Sequence, residues 1–128
     1  MSLFNPGDIV AVNFPGVTGI KRRPAVILSS PLYHTARPDV IVGLITSQTV
    51  AAMGPTDYLL QDWAQAGLRV PSAFRSFFAT LPPSTNSILV GHLSDRDWRE
   101  VRTCVKAALA PLDDPAPPAT SSQELLGR

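Results

Sequence analysis

The 128-residue sequence is poor in the side chains that bind metal ions or form disulfides. It has one cysteine, Cys104, two histidines, His34 and His92, and no clustered carboxylates. A single cysteine excludes an intramolecular disulfide, and too few ligands stand at usable spacing for a zinc or magnesium site. We therefore expect a reduced, cytoplasmic protein that needs no metal ion and no other cofactor.

We expect no targeting segment, and the chain has no strong charge of either sign. Residues 1–8 have neither the basic region nor the apolar core of a signal peptide, and no apolar run approaches the ~20 residues of a membrane span. The net charge is +1, and outside residues 111–128 there are ten basic and seven acidic side chains. This mild balance argues against non-specific coating of a duplex, but it permits one focused anion site.

What the sequence does contain is a series of short apolar runs separated by turn residues. We predict strands over residues 7–14, 23–30, 39–46, 72–81 and 87–93, and a weaker one over 57–60. Pro15 and Gly16 should end the first strand and begin a loop that reaches Arg22, and residues 67–71 should form another loop. Five or more strands in about ninety residues predict a mainly β barrel or sandwich with one core.

The hydrophobic period changes near residue 95. Ser94 is placed as an N-cap, with Asp95 and Asp97 in the first turn, where the helix dipole favours anions. The apolar positions that share one helical face are Trp98, Val101, Val105, Ala108 and Leu109. We predict a helix from about 95 to 110 that closes a domain of residues 1–110. Residues 111–128 contain four prolines and little that could enter a core, which predicts a flexible tail.

Two groups of polar side chains are candidates for chemistry. Lys21, Arg22 and Arg23 stand at the start of the second strand, and residues 46–49, Thr-Ser-Gln-Thr, directly follow the buried third strand. Each group alone has a plain structural explanation, a solvated basic turn or a polar strand end. Together they would form a phosphate-sized pocket, because the planar guanidinium matches phosphate oxygens. No GxSxG motif or phosphate-binding glycine loop is present, which argues against serine hydrolases and nucleoside triphosphatases.

The order and spacing of these segments resemble the MazF/PemK toxin family. The likeness covers about residues 6–109 and rests on GDIVAVNFPGVTGIKRRPAVILSS, DVIVGLITSQT and GLRVPSAFRSFFATLPPSTNSILVGHLSDRDWREV. Its most specific element is a GD-apolar-V strand, a basic loop, R-P-A-V-apolar-L-S, and then an apolar strand that ends in T-S or T-T. The resemblance implies a small SH3-like barrel of five or more antiparallel strands with a C-terminal α-helix. It also implies a homodimer, endoribonuclease activity on single-stranded RNA and inhibition by a cognate antitoxin.

The resemblance also implies roles for individual residues. Arg23 matches the family's catalytic arginine, and Thr46 matches the first residue of its hydroxyl pair. The residues expected to contact RNA are Thr18, Lys21, Arg22, Ser47, Gln48 and Arg75. Some relatives have an acid two residues after the arginine that matches Arg75, but this chain has Phe77, so no carboxylate can act as a base there. The loop over residues 15–22 is shorter than in several relatives, which leaves the base preference open.

The reaction implied by the resemblance uses the RNA's own 2′-hydroxyl and gives a 2′,3′-cyclic phosphate and a 5′-hydroxyl end. Arg23 would stabilise the developing charge and Thr46 would position a non-bridging oxygen, whereas the general base is unassigned, with His34 one candidate. Cutting messenger RNA would block translation. Two alternatives stay open: a non-enzymatic gyrase poison of the CcdB type, disfavoured by the Glu-Leu-Leu-Gly-Arg end, and an inactive barrel that serves as an interaction module.

Overall fold

The computed structural model describes residues 4–16, 19–51, 54–83 and 86–111. These residues contain six strands and two helices. In chain order they are β1 (Asp8–Gly16), β2 (Gly19–Ile27), α1 (Pro31–His34), β3 (Val40–Thr46), β4 (Tyr58–Leu59), β5 (Ala73–Leu81), β6 (Ile88–His92) and α2 (Asp95–Ala108). The strands pair antiparallel in one sheet of order β4-β5-β3-β2-β1-β6. The predicted mainly β fold with a C-terminal helix is confirmed.

The sheet is buried on both faces, and this explains its curvature. On one face, Ile9, Val26 and Ile45 pack in a core that includes Val101 of helix α2. The buried residues of the second core all come from strands, and they are Val10, Val12, Phe14, Ala25, Ile27, Val42, Leu44 and Leu81. Since strand residues form the buried part of this second face, the sheet curls on itself into a half-barrel.

The segment predicted as a loop over residues 15–22 is a β-hairpin where the structure describes it, so that prediction is wrong. Strand β1 continues through Pro15, and its ladder with β2 runs on until Gly16 lies opposite Gly19. Proline is tolerated there because, among the described residues, the pairing of β1 with its other neighbour, β6, ends at Ala11, which leaves that edge of β1 open. Gly19 has a φ of +125°, which side chains disfavour. The cations of β2 therefore stand on a strand.

The second strand is displaced from its predicted range of 23–30. It begins at the hairpin and ends at Ile27, and the chain then forms the short helix α1, which the sequence did not predict. The predicted strands over residues 39–46, 57–60, 72–81 and 87–93 agree with β3 to β6 within one residue at each end. Residues 67–71 form a loop, as predicted.

Helix α2 is shorter than its predicted range of 95–110. Ser94 is the N-cap, as predicted, and its Oγ accepts the N–H of Asp97 at 3.2 Å. Val101 is buried, but Ala108 and Leu109 are exposed, so these two do not belong to the packed face. Asp97, predicted only as an anion of the first turn, is fully buried.

The remaining expectations from composition concern the cysteine, the tail and the membrane. Cys104 is a free, buried thiol, and burial raises its pKa. Residues 112–128 lie outside the described residues, so the tail and the domain boundary at residue 110 stay predictions. None of the helices in the described ranges is long and apolar enough to cross a membrane.

Candidate functional site

Arg23 of β2 and Thr46 of β3 lie where the ladder between these two strands ends. The last registered pair is Ala25 opposite Leu44, and Arg23 and Thr46 each lie two residues further along their strands, on the same face. Both residues line two adjoining cavities, one of about 400 Å³ and one of about 290 Å³. The two principal candidates from the sequence therefore share a concave surface.

The two cavities differ in the side chains that surround this shared pair. The smaller one, which we call the aromatic cavity, is also lined by Phe14, Lys21, Leu44, Gln48, Arg75 and Phe77. The larger one, which we call the arginine cavity, is also lined by Arg22, Ser47, Leu68, Arg69, Val70 and Val90. Among the described residues that line either cavity there is no carboxylate and no histidine.

Thr46 is a buried lining residue of both cavities. Only 5% of its surface is exposed, and its Oγ1 accepts the N–H of Gln48 at 3.0 Å. A hydroxyl that accepts one hydrogen bond retains its own hydrogen to donate. Thr46 thus offers a positioned donor to an anion bound beside it.

The cations around the site divide into free and engaged groups. Within the described part of the chain, the side chains of Lys21, Arg23 and Arg69 form no hydrogen bond or ion pair. Arg22, by contrast, donates to the carbonyl oxygen of Asn86 at 2.6 Å. Arg75 Nε lies 3.8 Å from a carboxylate oxygen of Asp57. Free cations on a concave surface concentrate field and attract anions.

Except for His34, the structure brings together every predicted site residue that it describes. Lys21, Gln48 and Arg75 line the aromatic cavity, and Arg22 and Ser47 line the arginine cavity. Thr18 lies outside the described residues. His34, the candidate base, lines neither cavity; its Nε2 is 3.0 Å from the Oγ of Ser29.

Arg69 and Phe77 are site residues that the sequence reasoning missed. Arg69 lies in the loop over residues 67–71, which packs so closely on β6 that a Cβ at Gly67 would meet the Val90 carbonyl oxygen at 2.6 Å. A lone cation between a glycine and a proline was the available signal. Phe77 was noted only as a departure from the family pattern, yet it lines the aromatic cavity.

Several solved structures share this fold. MazE–MazF of Deinococcus radiodurans, form II, has 22% sequence identity, covers 86% of this chain and 98% of its own, and superposes with a TM-score of 0.65. An endoribonuclease from Mycobacterial species has 16% identity, coverages of 91% and 98%, and a TM-score of 0.66. An endoribonuclease in complex with its cognate antitoxin, also from Mycobacterial species, has 16% identity, coverages of 89% and 99%, and a TM-score of 0.65. At these identities the likeness shows the fold alone.

Sequence comparison supplies the family. No protein of curated function matches the chain at a significant level. The sequence profile of the PemK-like, MazF-like toxins of type II toxin–antitoxin systems, however, matches residues 5–109, which is most of the chain. The chain therefore belongs to the PemK-like, MazF-like toxin family of type II toxin–antitoxin systems.

Proposed function

We propose that this toxin is a metal-independent endoribonuclease of the cytoplasm that cleaves single-stranded messenger RNA and so blocks translation. The observation that carries the proposal is the position of Arg23 beside the buried hydroxyl of Thr46, on a concave surface with further free cations. Solved structures of the same fold that are named endoribonucleases support it. The catalytic assignments of Arg23 and Thr46 are part of this proposal.

In the proposed reaction the RNA supplies its own nucleophile. The 2′-hydroxyl oxygen attacks the adjacent phosphorus, and the bond between phosphorus and the 5′-oxygen breaks. The products are a 2′,3′-cyclic phosphate and a 5′-hydroxyl, so the 2′-oxygen loses a proton and the 5′-oxygen gains one. Since no histidine or carboxylate is among the described residues that line the cavities, we assign no side-chain base.

The contribution of the protein is charge stabilisation and positioning. The guanidinium of Arg23 donates to the non-bridging oxygens as negative charge builds on the phosphorane, and it does so from a rigid strand. The Thr46 hydroxyl, which accepts a hydrogen bond from the backbone N–H of Gln48, orients one of the same oxygens. The Thr46 hydroxyl is fixed before the substrate binds, and strand β2 fixes the backbone of Arg23, so little reorganisation is needed during the reaction.

The test is an assay of product ends. Purified protein is incubated with mixed-sequence single-stranded RNA in excess chelator, and we expect 2′,3′-cyclic phosphate and 5′-hydroxyl ends. Deoxyribose at the cleavage position should abolish cutting, because DNA lacks the attacking hydroxyl. Cleavage of the deoxy-substituted strand contradicts the mechanism. Uncut RNA together with inhibited gyrase favours the CcdB-type alternative, and inactivity in both assays favours the inactive module.

The cognate antitoxin is proposed to inhibit by occupying this surface. Solved structures with the same fold include a MazE–MazF assembly and an endoribonuclease in complex with its cognate antitoxin. An acidic or apolar segment lying over Arg23 would compete with RNA phosphates for the free cations. A toxin–antitoxin complex in which Arg23 remains accessible and RNA is still cut contradicts this model.

A homodimer is proposed because the sheet ends in an apolar edge. Strand β6 is the terminal strand of the sheet and exposes 56% of Ile88, 56% of Leu89 and 36% of Val90. Exposed apolar edge strands are usually covered by another chain. Sedimentation of the wild type and of Leu89→Asp tests this: we expect a dimer that dissociates in the variant, and a monomeric wild type contradicts it.

A further inference from the structure

We propose that the aromatic cavity binds one unpaired nucleobase, with Phe77 as the ring on which the base stacks. The inference rests on the proposed function, because the base belongs to a nucleotide next to the cleaved bond. It assigns a specificity-determining role to Phe77, at a position where some relatives have an acidic residue.

A bulge in β5 presents Phe77 to the cavity. The register between β3 and β5 shifts between Gly43 and Leu44, and the two extra residues on β5 are Ser76 and Phe77. Two hydrogen bonds to the segment before β4 hold the bulge in place. The Ser76 N–H donates to the Asp57 carboxylate at 3.2 Å, and the Ser76 hydroxyl donates to the carbonyl oxygen of Thr56 at 2.6 Å. Bulges re-aim side chains and are enriched next to active sites.

The ring of Phe77 is both fixed and accessible. Its centroid lies 5.5 Å from that of Phe14, with the two ring planes at 89°. Phe14 is 1% exposed, whereas Phe77 is 38% exposed. An edge-to-face contact with a buried ring sets the orientation of Phe77 without covering it. A core phenylalanine would be buried, so the exposed ring indicates an external partner.

The polar groups around this ring indicate what the partner is. Lys21 and Arg75 line the same cavity as Phe77, and so does Gln48, whose side chain ends in an amide. Cations beside an aromatic ring suit a base that carries a phosphate, and an amide can both donate to and accept from a base edge. An apolar peptide side chain would form no hydrogen bond or ion pair with these cations.

The size and place of the cavity narrow the ligand to one base. Its volume of about 290 Å³ is at the low end for small-ligand sites, which are about 300–1,000 Å³. Arg23 and Thr46 form part of its wall. A base stacked on Phe77 therefore belongs to a nucleotide that flanks the phosphate held by this pair.

The experiment compares Phe77→Leu with the matched control Phe78→Leu. Phe78 is partly buried against the core on the other face of the sheet, so both variants replace a phenylalanine of β5 by leucine but only one alters the cavity. For a defined single-stranded RNA, we expect Phe77→Leu to raise KM roughly 5- to 150-fold with kcat nearly unchanged, the range that loss of one stacked base predicts. Sequencing of the product ends should show that Phe77→Leu has lost the base preference at one position beside the cut. Phe78→Leu should keep both the KM and the base preference of the wild type.

The outcomes separate this inference from the nuclease proposal. If the wild type cuts no RNA, both fail. If the wild type cuts and folded Phe77→Leu keeps its KM and base preference, the inference fails and the nuclease stands. Unchanged RNA kinetics with weakened antitoxin binding also overturns it and assigns the cavity to a peptide. Should Phe77→Leu not fold, Phe77→Met, which also removes the ring, decides: a raised KM supports the inference, and an unchanged KM overturns it.

Discussion

The chain uses charge in opposite ways in two regions. At the joint between α2 and the segment after β4, the charged side chains of Asp62, Arg96 and Asp97 have partners within the chain. The buried carboxylate of Asp97 accepts the Tyr58 hydroxyl at 2.7 Å and the N–H groups of Gln61 and Asp62 at 3.1 and 2.8 Å. Around Arg23, by contrast, the free cations have no such partners in the described residues.

A second carboxylate completes the joint. Asp62 accepts the Ser94 hydroxyl at 2.5 Å and two guanidinium nitrogens of Arg96 at 2.8 and 2.9 Å. The Arg96 hydrogen bonds, then that of Ser94, lower the pKa of Asp62 to about 2. Burial, and then the hydrogen bond to Asp97, raises the pKa of Tyr58. Charge with internal partners stabilises the fold, whereas charge without them is available to a ligand.

The largest expected effect is on the joint. Asp97→Ala leaves three donors without their acceptor, one of them a hydroxyl and two of them backbone N–H groups. We expect the free energy of unfolding to fall by about 3–5 kcal/mol, measured by urea denaturation. Asp95→Ala, at an exposed position of the same helical turn, is the control and should change it by about 0.5 kcal/mol or less. Equal losses in the two variants would contradict the role assigned to the buried carboxylate.

Arg23→Ala should have the converse effect, on rate and not on stability. Removing one preorganised donor typically costs about 2.7–4 kcal/mol of barrier, so we expect kcat for RNA cleavage to fall roughly 100- to 1000-fold. Because the side chain of Arg23 has no hydrogen-bond partner in the described chain, the urea midpoint should stay within error of the wild type. Arg99→Ala, an exposed cation of α2, is the control for lost charge. A large loss of stability in Arg23→Ala would remove the contrast between the two regions.

The site was more predictable than the joint, because its parts depend on neighbouring strands. Arg23 and Thr46 come together through the pairing of β2 with β3, and an apolar run in the sequence indicates each of these strands. The partners of Asp97 lie 35 to 39 residues away in sequence, and no local pattern indicates that this carboxylate is buried.

The errors in the fold prediction also have tertiary causes. Pro15 and Gly16 signal a turn locally, but pairing with β2 keeps both in a strand. Arg69 was not predicted because the position of its loop depends on packing against β6. Local sequence indicates whether a segment is a strand, a helix or a turn. The length of β1 and the position of the Arg69 loop depend instead on which elements pack against each other.

A smaller effect is expected at Arg69, a free cation of the arginine cavity. Arg69→Ala should weaken RNA binding to a similar extent for all sequences and reduce the slope of log K against log salt concentration by about 0.7, the value for one phosphate contact on a single strand. Arg96→Ala is the matched control, because that arginine is already paired with Asp62. We expect its salt slope to equal that of the wild type. Equal salt slopes for Arg69→Ala and the wild type would show that Arg69 contacts no RNA phosphate.

The smallest effect is the pH dependence that Asp62 adds to stability. Its pKa in the folded chain is about 2, below its ordinary value of 3.8, so the folded state favours the ionised form. The contribution is therefore fully present above about pH 4 and is lost as the pH falls towards 2. In Asp62→Asn this part is absent, and the thermal midpoint should fall less steeply between pH 4 and pH 2 than in the wild type. Parallel curves for the two proteins would mean that the bidentate pair with Arg96, 57% exposed on the arginine side, is screened by solvent and that Asp97 alone stabilises the joint.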